Sequence, residues 1–314
     1  MALEVFDYQY HNNTVYKKYV ETLKINPGNI NTIETIPFLP ISFFKTHEVT
    51  TTTFEPETVF ESSGTTGMNS SRHLVKQTAI YEESFIQCFQ QFYGHPSSWC
   101  IIGLLPNYLE RENSSLVFMV NDLIKRSRNP NSGFYLDNVE KLYQTIVHNE
   151  MMEIPTLLIG VTFALLDFSE KYSLKLKHTT IMETGGMKGR REEITREEVH
   201  EIIKQKLGVT EVHSEYGMTE LLSQAYSSGD RKFHTPGWLK ILIREYNDPF
   251  ALTSPGNKGK PVSGLINIID LANVYSCSFI ATDDVGKLYH NGSFEVLGRR
   301  DVSDLRGCSL LTLE

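Results

Sequence analysis

Strand and helix patterns alternate through the middle of the chain. The strand patterns cover residues 99–105, 134–135, 156–160, 179–182 and 209–213. The helical patterns cover residues 78–93, 114–125, 139–148, 162–172 and 195–207. The last helix has its own start and stop signals, a capping box that opens at Thr195 and a glycine, Gly208, at its end. This alternation predicts an α/β fold with a mostly parallel sheet that helices cover on both faces.

The pattern changes after about residue 238. Short strand patterns at residues 239–243, 265–269, 278–281 and 294–297 are separated by turns, which predicts an appended, mostly antiparallel β-region. Upstream of the alternating part, residues 14–24 have helical spacing. Residues 36–45 are apolar but contain two prolines, which argues against a central strand. That segment is then either an apolar arm packed on the body or a simple loop that covers the core.

Charge and apolar run lengths exclude several classes of protein. The formal net charge is -8 with a pI of about 5.7, which argues against a general affinity for nucleic acid or anionic membranes. The longest apolar runs are too short to span a bilayer, and the N-terminus lacks the features of a signal peptide. The four cysteines contain no C-x-x-C pair, so we expect reduced thiols and a cytoplasmic protein.

A loop rich in glycine and hydroxyl residues lies between two extended runs. It reads Glu61-Ser62-Ser63-Gly64-Thr65-Thr66-Gly67. Such a loop can turn backbone N–H groups inward and form an anion-binding nest, which glycine lets a phosphate approach closely. Ser, Thr and Gly are also ordinary turn residues, so a solvated turn is the alternative. The loop is not a Walker A motif, because no Gly-Lys-Ser/Thr follows.

Two further motifs follow predicted strands, at residues 183–186 and 215–220. In parallel α/β sheets, ligands bind beyond the carboxyl ends of the strands. A glycine pair, Gly185 and Gly186, would let a flat ring lie on the backbone. Tyr216 offers an aromatic face, Thr219 a hydroxyl donor and Glu220 a carboxylate suited to Mg²⁺ beside phosphates. The alternative is that Thr219 and Glu220 merely begin a helix at Leu221.

A fourth motif combines Thr282-Asp283-Asp284-Val285-Gly286 with Arg299. A carboxylate can hold both hydroxyls of a ribose, and an arginine can hold ribose or phosphate oxygens. Residues 282–286 could instead form a β-turn, and residues 298–301 a surface turn.

Taken in order, these motifs resemble the adenylate-forming superfamily of acyl-CoA synthetases, luciferases and peptide-synthetase adenylation domains. The chain is most similar to the LuxE-type branch, the acyl-protein synthetases of the bacterial luminescence fatty-acid reductase system. Three stretches carry that similarity, residues 37–45, 105–117 and 182–190. The resemblance extends from about residue 35 onward.

The resemblance implies an ATP site and a magnesium site. Residues Ser62, Ser63, Gly64, Thr65, Thr66 and Gly67 would hold the β- and γ-phosphates. Gly185 and Gly186 would lie near adenine, and Tyr216 would stack on it. Thr219 would touch the α-phosphate and Glu220 would bind Mg²⁺.

The family pattern also assigns the ribose end of the site and the domain limits. Asp284 matches the ribose-binding aspartate, Arg299 the arginine that follows it, and Asp301 the hinge position. We therefore expect an ATP- and acyl-binding domain over residues 1–297 and a short hinge-like tail over residues 298–314. The usual C-terminal domain would be absent, and with it the lysine which that domain supplies to adenylation.

The sequence departs from the superfamily pattern in two further places. The glycine loop continues with Met68 to Arg72 where Pro-Lys is usual, and Arg72 and Lys76 are two candidates for the missing positive charge. Asp283 replaces a common glycine.

The resemblance implies ATP-dependent activation of a carboxylic acid to an acyl-adenylate. A fatty acid fits the LuxE-type branch, and an aryl or short acid is the alternative. In the LuxE-type branch the acyl group then passes to a cysteine near the C-terminus of the enzyme, and from there to a partner reductase. Cys308 is the candidate, because nearby arginines would lower the pKa of its thiol if they lie close in space. The alternative is that Cys308 is a buried or idle cysteine of the tail. Cys88, Cys100 and Cys277 have the surroundings of core residues. The alternatives are a ligase that ends on coenzyme A or a carrier-protein thiol, and a nucleotide-binding protein without catalysis.

Overall fold

The computed structural model describes residues 1–62, 70–105, 113–135, 138–185, 194–256 and 259–300. Its helices are α1 (Ala2–Asn12), α2 (Thr14–Thr22), α3 (Phe43–Thr46), α4 (Thr78–Tyr93), α5 (Ser115–Ser127), α6 (Val139–Met151), α7 (Thr162–Lys171) and α8 (Arg196–Leu207). Its strands are β1 (Leu39–Pro40), β2 (Thr58–Glu61), β3 (Arg72–Val75), β4 (Cys100–Leu104), β5 (Gly133–Phe134), β6 (Thr156–Gly160), β7 (Thr179–Glu183), β8 (Val212–Tyr216), β9 (Ala225–Ser227), β10 (Leu239–Arg244), β11 (Leu252–Thr253), β12 (Val262–Asp270), β13 (Phe279–Leu288) and β14 (Phe294–Arg299).

The first large sheet has the strand order β5-β4-β6-β7-β8-β9. The strands from β5 to β8 are parallel to their neighbours, and β9 runs antiparallel to β8 at the edge. Every residue of β4 and β6 is buried, as is typical of parallel strands covered on both faces. The predicted α/β fold class is confirmed.

Helices cover both faces of this sheet. Alternate side chains of a strand point to opposite faces. Ile101 and Leu157 belong to one hydrophobic cluster with residues of α4 and α5. Ile102 and Leu158 belong to another with residues of α6, α7 and α8.

Local signals set the limits of the helices well. Helix α4 covers the predicted residues 78–93. Helix α8 opens with the predicted capping box, in which the Glu198 N–H donates to Oγ1 of Thr195 at 3.2 Å and the Thr195 N–H donates to Oε2 of Glu198 at 2.7 Å. It ends at Gly208, whose φ of 69° lies in the left-handed region. None of the helices in the described ranges is long and apolar enough to cross a bilayer.

Strand β8 corrects one prediction. The apolar pattern placed a strand at residues 209–213, whereas β8 runs from Val212 to Tyr216. Its last three residues, Ser214, Glu215 and Tyr216, are polar yet buried, so hydrophobicity alone does not reveal them. Glu215 and Tyr216 therefore belong to the end of the strand itself.

The second large sheet is mostly antiparallel, as predicted. Its order is β1-β13-β12-β10-β11, and β14 also pairs with β13. Residues 282–286 lie inside β13, so the β-turn alternative for that motif is wrong. Gly298 and Arg299 are the last residues of β14. The helix alternative at Leu221 is also wrong, because residues 217–224 form a turn-rich connection between β8 and β9.

The N-terminal segment packs on this second sheet. Helix α1, which the sequence analysis did not predict, places Phe6 against Phe279 with ring centroids 6.3 Å apart. Tyr16 of α2 stacks on the same ring and donates a hydrogen bond to the carbonyl of Pro37 at 2.6 Å. Strand β1 pairs in parallel with β13, so the predicted apolar arm does lie on the body. The division of the chain at residue 297 stays a prediction.

Candidate active site

The carboxylate of Asp284 accepts hydrogen bonds from two other predicted site residues, Tyr216 and Arg299. The hydroxyl of Tyr216 donates to Oδ2 of Asp284 at 2.8 Å, and Nε of Arg299 donates to Oδ1 at 3.0 Å. Tyr216 comes from the carboxyl end of β8 in the parallel sheet. Asp284 and Arg299 come from β13 and β14, where they are register partners. The site therefore lies where the two large sheets meet.

The burial of Asp284 and its free lone-pair positions suit a ligand with hydroxyl groups. The residue is only 5% exposed, whereas Arg299 is 57% exposed on its side chain. An ionised carboxylate has about four lone-pair positions, and the described residues use one on each oxygen. The remaining positions can accept hydrogen bonds from two neighbouring hydroxyls, as a ribose presents.

Tyr216 is held as a neutral phenol. Its ring packs edge-on against Phe294 with centroids 5.4 Å apart, and also contacts Phe233 at 5.8 Å. Burial, with the nearby charge of Asp284, raises the pKa of Tyr216 well above its ordinary value. The hydroxyl therefore acts as a donor to Asp284. The stacking of Tyr216 on adenine stays a prediction.

The turn that carries Thr219 and Glu220 is fixed by two distant elements. Nδ1 of His73, on β3, lies 2.8 Å from the carbonyl oxygen of Thr219. Nδ2 of Asn273 donates to the carbonyl of Glu220 at 2.8 Å. Burial lowers the pKa of His73 to about 4, so the imidazole is neutral near pH 7 and its Nδ1–H donates to the carbonyl. His73 and Asn273 therefore hold this turn through its backbone carbonyls.

Glu220 is a buried carboxyl whose neighbours include two cations. It is 6% exposed, and burial raises the pKa of its carboxyl, although a hydrogen bond from the side chain of Ser71 and the charges of Arg299 and Lys45 oppose this. A bound divalent cation would favour the ionised form of such a buried carboxyl. Mg²⁺ commonly takes one or two carboxylates together with phosphate oxygens, so the donor present here fits that ion.

The base of the glycine loop lies beside Glu220. The Ser62 N–H donates to the carbonyl of Ser71 at 3.0 Å, and the Ser71 N–H donates to Oγ of Ser62 at 2.9 Å. Because Ser71 also hydrogen-bonds Glu220, the first loop serine, Ser62, lies near the predicted magnesium ligand through its bonds to Ser71. The other predicted loop residues, Ser63, Gly64, Thr65, Thr66 and Gly67, lie outside the described residues.

Gly185 is held by a carboxylate that the sequence analysis did not single out. The Gly185 N–H donates to Oε1 of Glu183 at 2.7 Å, and the hydroxyl of Thr162 donates to the same oxygen. Gly185 has a φ of 74°, a conformation that favours glycine. Glu183 thus fixes a turn at the carboxyl end of β7, while the predicted Gly186 lies outside the described residues.

Glu183 and Glu215 form a pair of buried acids in different protonation states. Burial alone would raise the pKa of Glu183, but contacts with His200, Arg196 and Thr162 bring it below its ordinary value. Nε of Arg196 lies 3.5 Å from Oε2 of Glu183. Burial, together with the charge of Glu183, raises the pKa of Glu215 to about 8. At neutral pH, Glu183 is therefore ionised and Glu215 is mostly protonated.

The two cations proposed for the altered loop have other contacts. Arg72 lies 3.6 Å from Glu48 and 3.8 Å from Glu61. Nζ of Lys76 lies 4.1 Å from the ring centroid of Tyr275. Lys45, at the end of the apolar arm, acts electrostatically on Glu220 instead. In the sequence, Lys45 stood out only as the last residue of the stretch 37–45, which carries part of the family similarity.

The three described cysteines are core residues, as expected. Cys88, Cys100 and Cys277 are buried and free. Burial raises the pKa of each thiol, that of Cys277 to about 12. Such thiols carry little thiolate near pH 7 and are poor nucleophiles. Asp301 and Cys308 lie outside the described residues.

Solved structures share this fold. A 2-hydroxyisobutyryl-CoA ligase in the postadenylation state has a TM-score of 0.69 and 9% identity, over 96% of this chain and 66% of that one. The o-succinylbenzoate coenzyme A synthetase of Bacillus subtilis, in complex with ATP and magnesium ion, has a TM-score of 0.53 and 17% identity, over 78% and 51%. The chain thus spans between half and two thirds of their lengths. At these identities the likeness shows the adenylate-forming fold alone.

Sequence comparison goes further than the fold. The long-chain-fatty-acid–luciferin-component ligase of Aliivibrio fischeri is 22% identical over an alignment of 345 positions. The alignment covers 99% of this chain and 86% of the relative. A profile of the family described as acyl-protein synthetase, LuxE, matches residues 1–314. Since that match extends over the whole chain, the protein belongs to the LuxE family of acyl-protein synthetases.

Proposed function

We propose that this protein uses ATP to convert a fatty acid into an acyl-adenylate and then transfers the acyl group to a protein thiol. The observation that carries the proposal is the Asp284 carboxylate between Tyr216 and Arg299, with the buried Glu220 on the adjoining turn. The family assignment supports the reaction class, and the name of the Aliivibrio fischeri relative supports a long-chain fatty acid.

Each part of the nucleotide has a proposed set of contacts. Asp284 accepts the ribose hydroxyls, and Arg299, which is more exposed, binds ribose or phosphate oxygens. Gly185, Gly186 and Tyr216 surround adenine. Residues 62–67 hold the β- and γ-phosphates, and the position of Ser62, bonded to Ser71 beside Glu220, supports this. Thr219 donates its hydroxyl to the α-phosphate.

The first half-reaction needs positioning and charge neutralisation. A carboxylate oxygen of the acid attacks the α-phosphorus, a new P–O bond forms, and the bond to pyrophosphate breaks. The acid is already ionised at neutral pH, so the chain need not supply a base. Glu220 would hold Mg²⁺, which neutralises charge on the phosphates when bound. Thr219 and the loop hold the reacting groups in line.

The second half-reaction needs a thiolate. It attacks the acyl carbonyl, a thioester forms, and AMP leaves with the bonding electrons. The buried thiols of Cys88, Cys100 and Cys277 are unsuited to this role, which supports Cys308 as the acceptor. From Cys308 the acyl group would pass to a protein partner such as a reductase. The free thiols of the described cysteines fit the cytoplasmic location predicted from the sequence.

Carboxylate-dependent exchange of pyrophosphate into ATP tests the proposal. The assay would use fatty acids of graded length and several aryl acids, with the wild-type chain, Asp284→Asn and the neighbouring Asp283→Asn. We expect exchange with one class of acid, a loss of at least a hundredfold in Asp284→Asn, and near wild-type exchange in Asp283→Asn. Absence of exchange with every acid would contradict the proposal.

A labelled acid then identifies the acceptor. Label that stays on the protein after denaturation supports acyl transfer to a protein thiol. Label that appears only on added coenzyme A would replace that step by the coenzyme A alternative.

A further inference from the structure

A cavity of about 610 Å³ lies between the N-terminal segment and the antiparallel sheet. Its volume falls within the roughly 300–1,000 Å³ typical of sites for small molecules. Apolar side chains supply most of its walls, among them Leu23, Ile25, Ile30, Ile36, Phe38 and Leu252. The predicted apolar arm thus forms one wall of a cavity that the proposed ATP reaction does not use.

The cavity and the ATP site lie on opposite faces of the same strand. Successive side chains of a strand point to opposite faces. Asp284 of β13 meets Tyr216 on one face, whereas Asp283 lines the cavity on the other. Asn267 and Ala281, which are register partners, also line the cavity. A ligand here would therefore lie behind the strand that carries Asp284.

A buried cation without a carboxylate partner lines the sheet side of the cavity. Arg244 is 6% exposed, and its guanidinium donates to the carbonyls of Ile266 at 3.0 Å and Thr282 at 2.6 Å. It also donates to Oδ1 of Asn267. Among the described residues, no carboxylate oxygen lies within 4.0 Å of this guanidinium. These bonds use three of the five N–H donors of the guanidinium. Its charge is not paired with a carboxylate among the described residues, which is costly in a buried position.

Asn267 adds an unused donor. Its Oδ1 accepts from Arg244, so its Nδ2 points elsewhere; Nδ2 is buried and has no hydrogen-bond partner among the described residues. Two acids also line the cavity, Glu34 and Asp283, but both are exposed and so lie at its mouth. Asp283 acts on Arg244 from a distance, and Arg300 opposes it. The interior end of the cavity thus carries a guanidinium whose charge is unpaired, and Asn267 lies beside it.

We propose that this cavity binds an aliphatic carboxylate, with its head group at Arg244 and Asn267 and its chain along the apolar walls. A carboxylate is the ligand group that pairs the guanidinium charge and accepts from the N–H donors of Arg244 that the protein does not use. The apolar walls select an aliphatic chain, because burying it removes apolar surface from water. This second acid site does not depend on the proposed adenylation reaction.

Calorimetric titration of the full chain with decanoate, without ATP, tests the site. Asn267→Asp places a carboxylate beside Arg244, which pairs the cation internally and repels the ligand. We expect this variant to bind one equivalent of decanoate less than wild type, or to bind that equivalent at least tenfold more weakly. The exposed change Asn12→Asp adds the same charge on α1 and should leave binding within twofold. Decanol should bind more weakly than decanoate.

Two results would overturn the proposal. One is unchanged stoichiometry and affinity in Asn267→Asp when its melting temperature shows that it is folded. The other is equal binding of decanol and decanoate. Leu23→Trp, which narrows an apolar wall, should weaken the same equivalent if Asn267→Asp fails to fold, and unchanged binding there would also count against the site. Failure of pyrophosphate exchange would remove the proposed function but leave the difference between Asn267→Asp and wild type intact.

Discussion

The phenolic oxygen of Tyr216 lies 2.8 Å from Oδ2 of Asp284, and this hydrogen bond joins the parallel sheet to the antiparallel sheet. A hydrogen bond to a charged group makes a net contribution of about 1.5–3 kcal/mol to the stability of the folded state.

Tyr216→Phe removes that bond and keeps the ring. We expect the KM for ATP to rise about tenfold or more, because Asp284 loses the partner that orients it, and the melting temperature to fall by a few degrees. Tyr289→Phe removes a comparable hydroxyl–carboxylate bond, to Glu295, away from the site. A similar rise of KM in both variants would contradict a specific role for Tyr216.

Glu220→Gln tests the magnesium assignment. The amide retains the shape of the side chain but cannot balance a divalent cation, so we expect at least a hundredfold loss of pyrophosphate exchange. The fold should persist, because burial already disfavours the charge of this carboxyl. Exchange measured over a range of Mg²⁺ concentrations, with Glu295→Gln as the control, is the relevant assay. Full activity of Glu220→Gln would remove Glu220 from the metal site.

Glu183→Gln tests whether Glu183 is a positioning residue for the Gly185 turn. The variant loses the negative charge that faces Arg196 and weakens the hydrogen bond that the Gly185 N–H donates to residue 183. We expect a higher KM for ATP with a smaller change in kcat, since Glu183 supports the turn and does not touch the reacting atoms. Glu140→Gln, which alters a carboxylate bonded to Tyr172 on the surface, should leave both constants unchanged. A loss confined to kcat would point to another role.

Glu215→Gln tests the buried acid pair through pH. Glu215 has a folded pKa of about 8, above the ordinary value near 4.3 of the unfolded chain. Between these two pKa values, the folded state therefore holds a proton that the unfolded state releases. The stability that Glu215 contributes is fully present below about pH 4 and is lost as the pH rises toward 8. The melting temperature of the variant should rise relative to that of the wild type as the pH increases from 5 to 8. A difference that stays constant across this range would contradict the raised pKa.

Cys308→Ser tests the acyl acceptor. We expect this variant to lose stable acyl-protein while it retains pyrophosphate exchange, because adenylation precedes the thiol step. Cys88→Ser is the matched control, since Cys88 is buried and its loss should leave labelling intact in folded protein. Undiminished labelling of Cys308→Ser would show that another group accepts the acyl chain.

Features governed by neighbours in sequence could be predicted. The capping box at Thr195, the glycine at 208 and the apolar periodicity of residues 78–93 depend on contacts within one or two turns of a helix. The alternation of strands and helices was enough to predict the parallel sheet. The bringing together of Tyr216, Asp284 and Arg299 followed from the family resemblance, and their roles toward a nucleotide stay predictions.

Features that depend on tertiary contacts could not be predicted. His73 supports the carbonyl of Thr219 across 146 positions of sequence, and nothing local to either residue indicates this contact. Glu183 and Glu215 stood within motifs, but only their burial and mutual proximity separate an ionised acid from a protonated one. Strand β8 was misplaced for the same reason, since its polar end is buried by tertiary packing.

The consecutive aspartates of β13 limit which insertions this strand can tolerate. Asp284 serves one face and Asp283 the other, so a slip of one residue would exchange them and still leave a carboxylate on each side of the sheet. Charge and composition would survive such a slip, but the 2.8 Å contact with Tyr216 and the pairing with Arg299 would not. Within this family, aligned sequences with a single insertion or deletion between Phe279 and Asp284 should therefore lack the proposed adenylation reaction even where both aspartates remain.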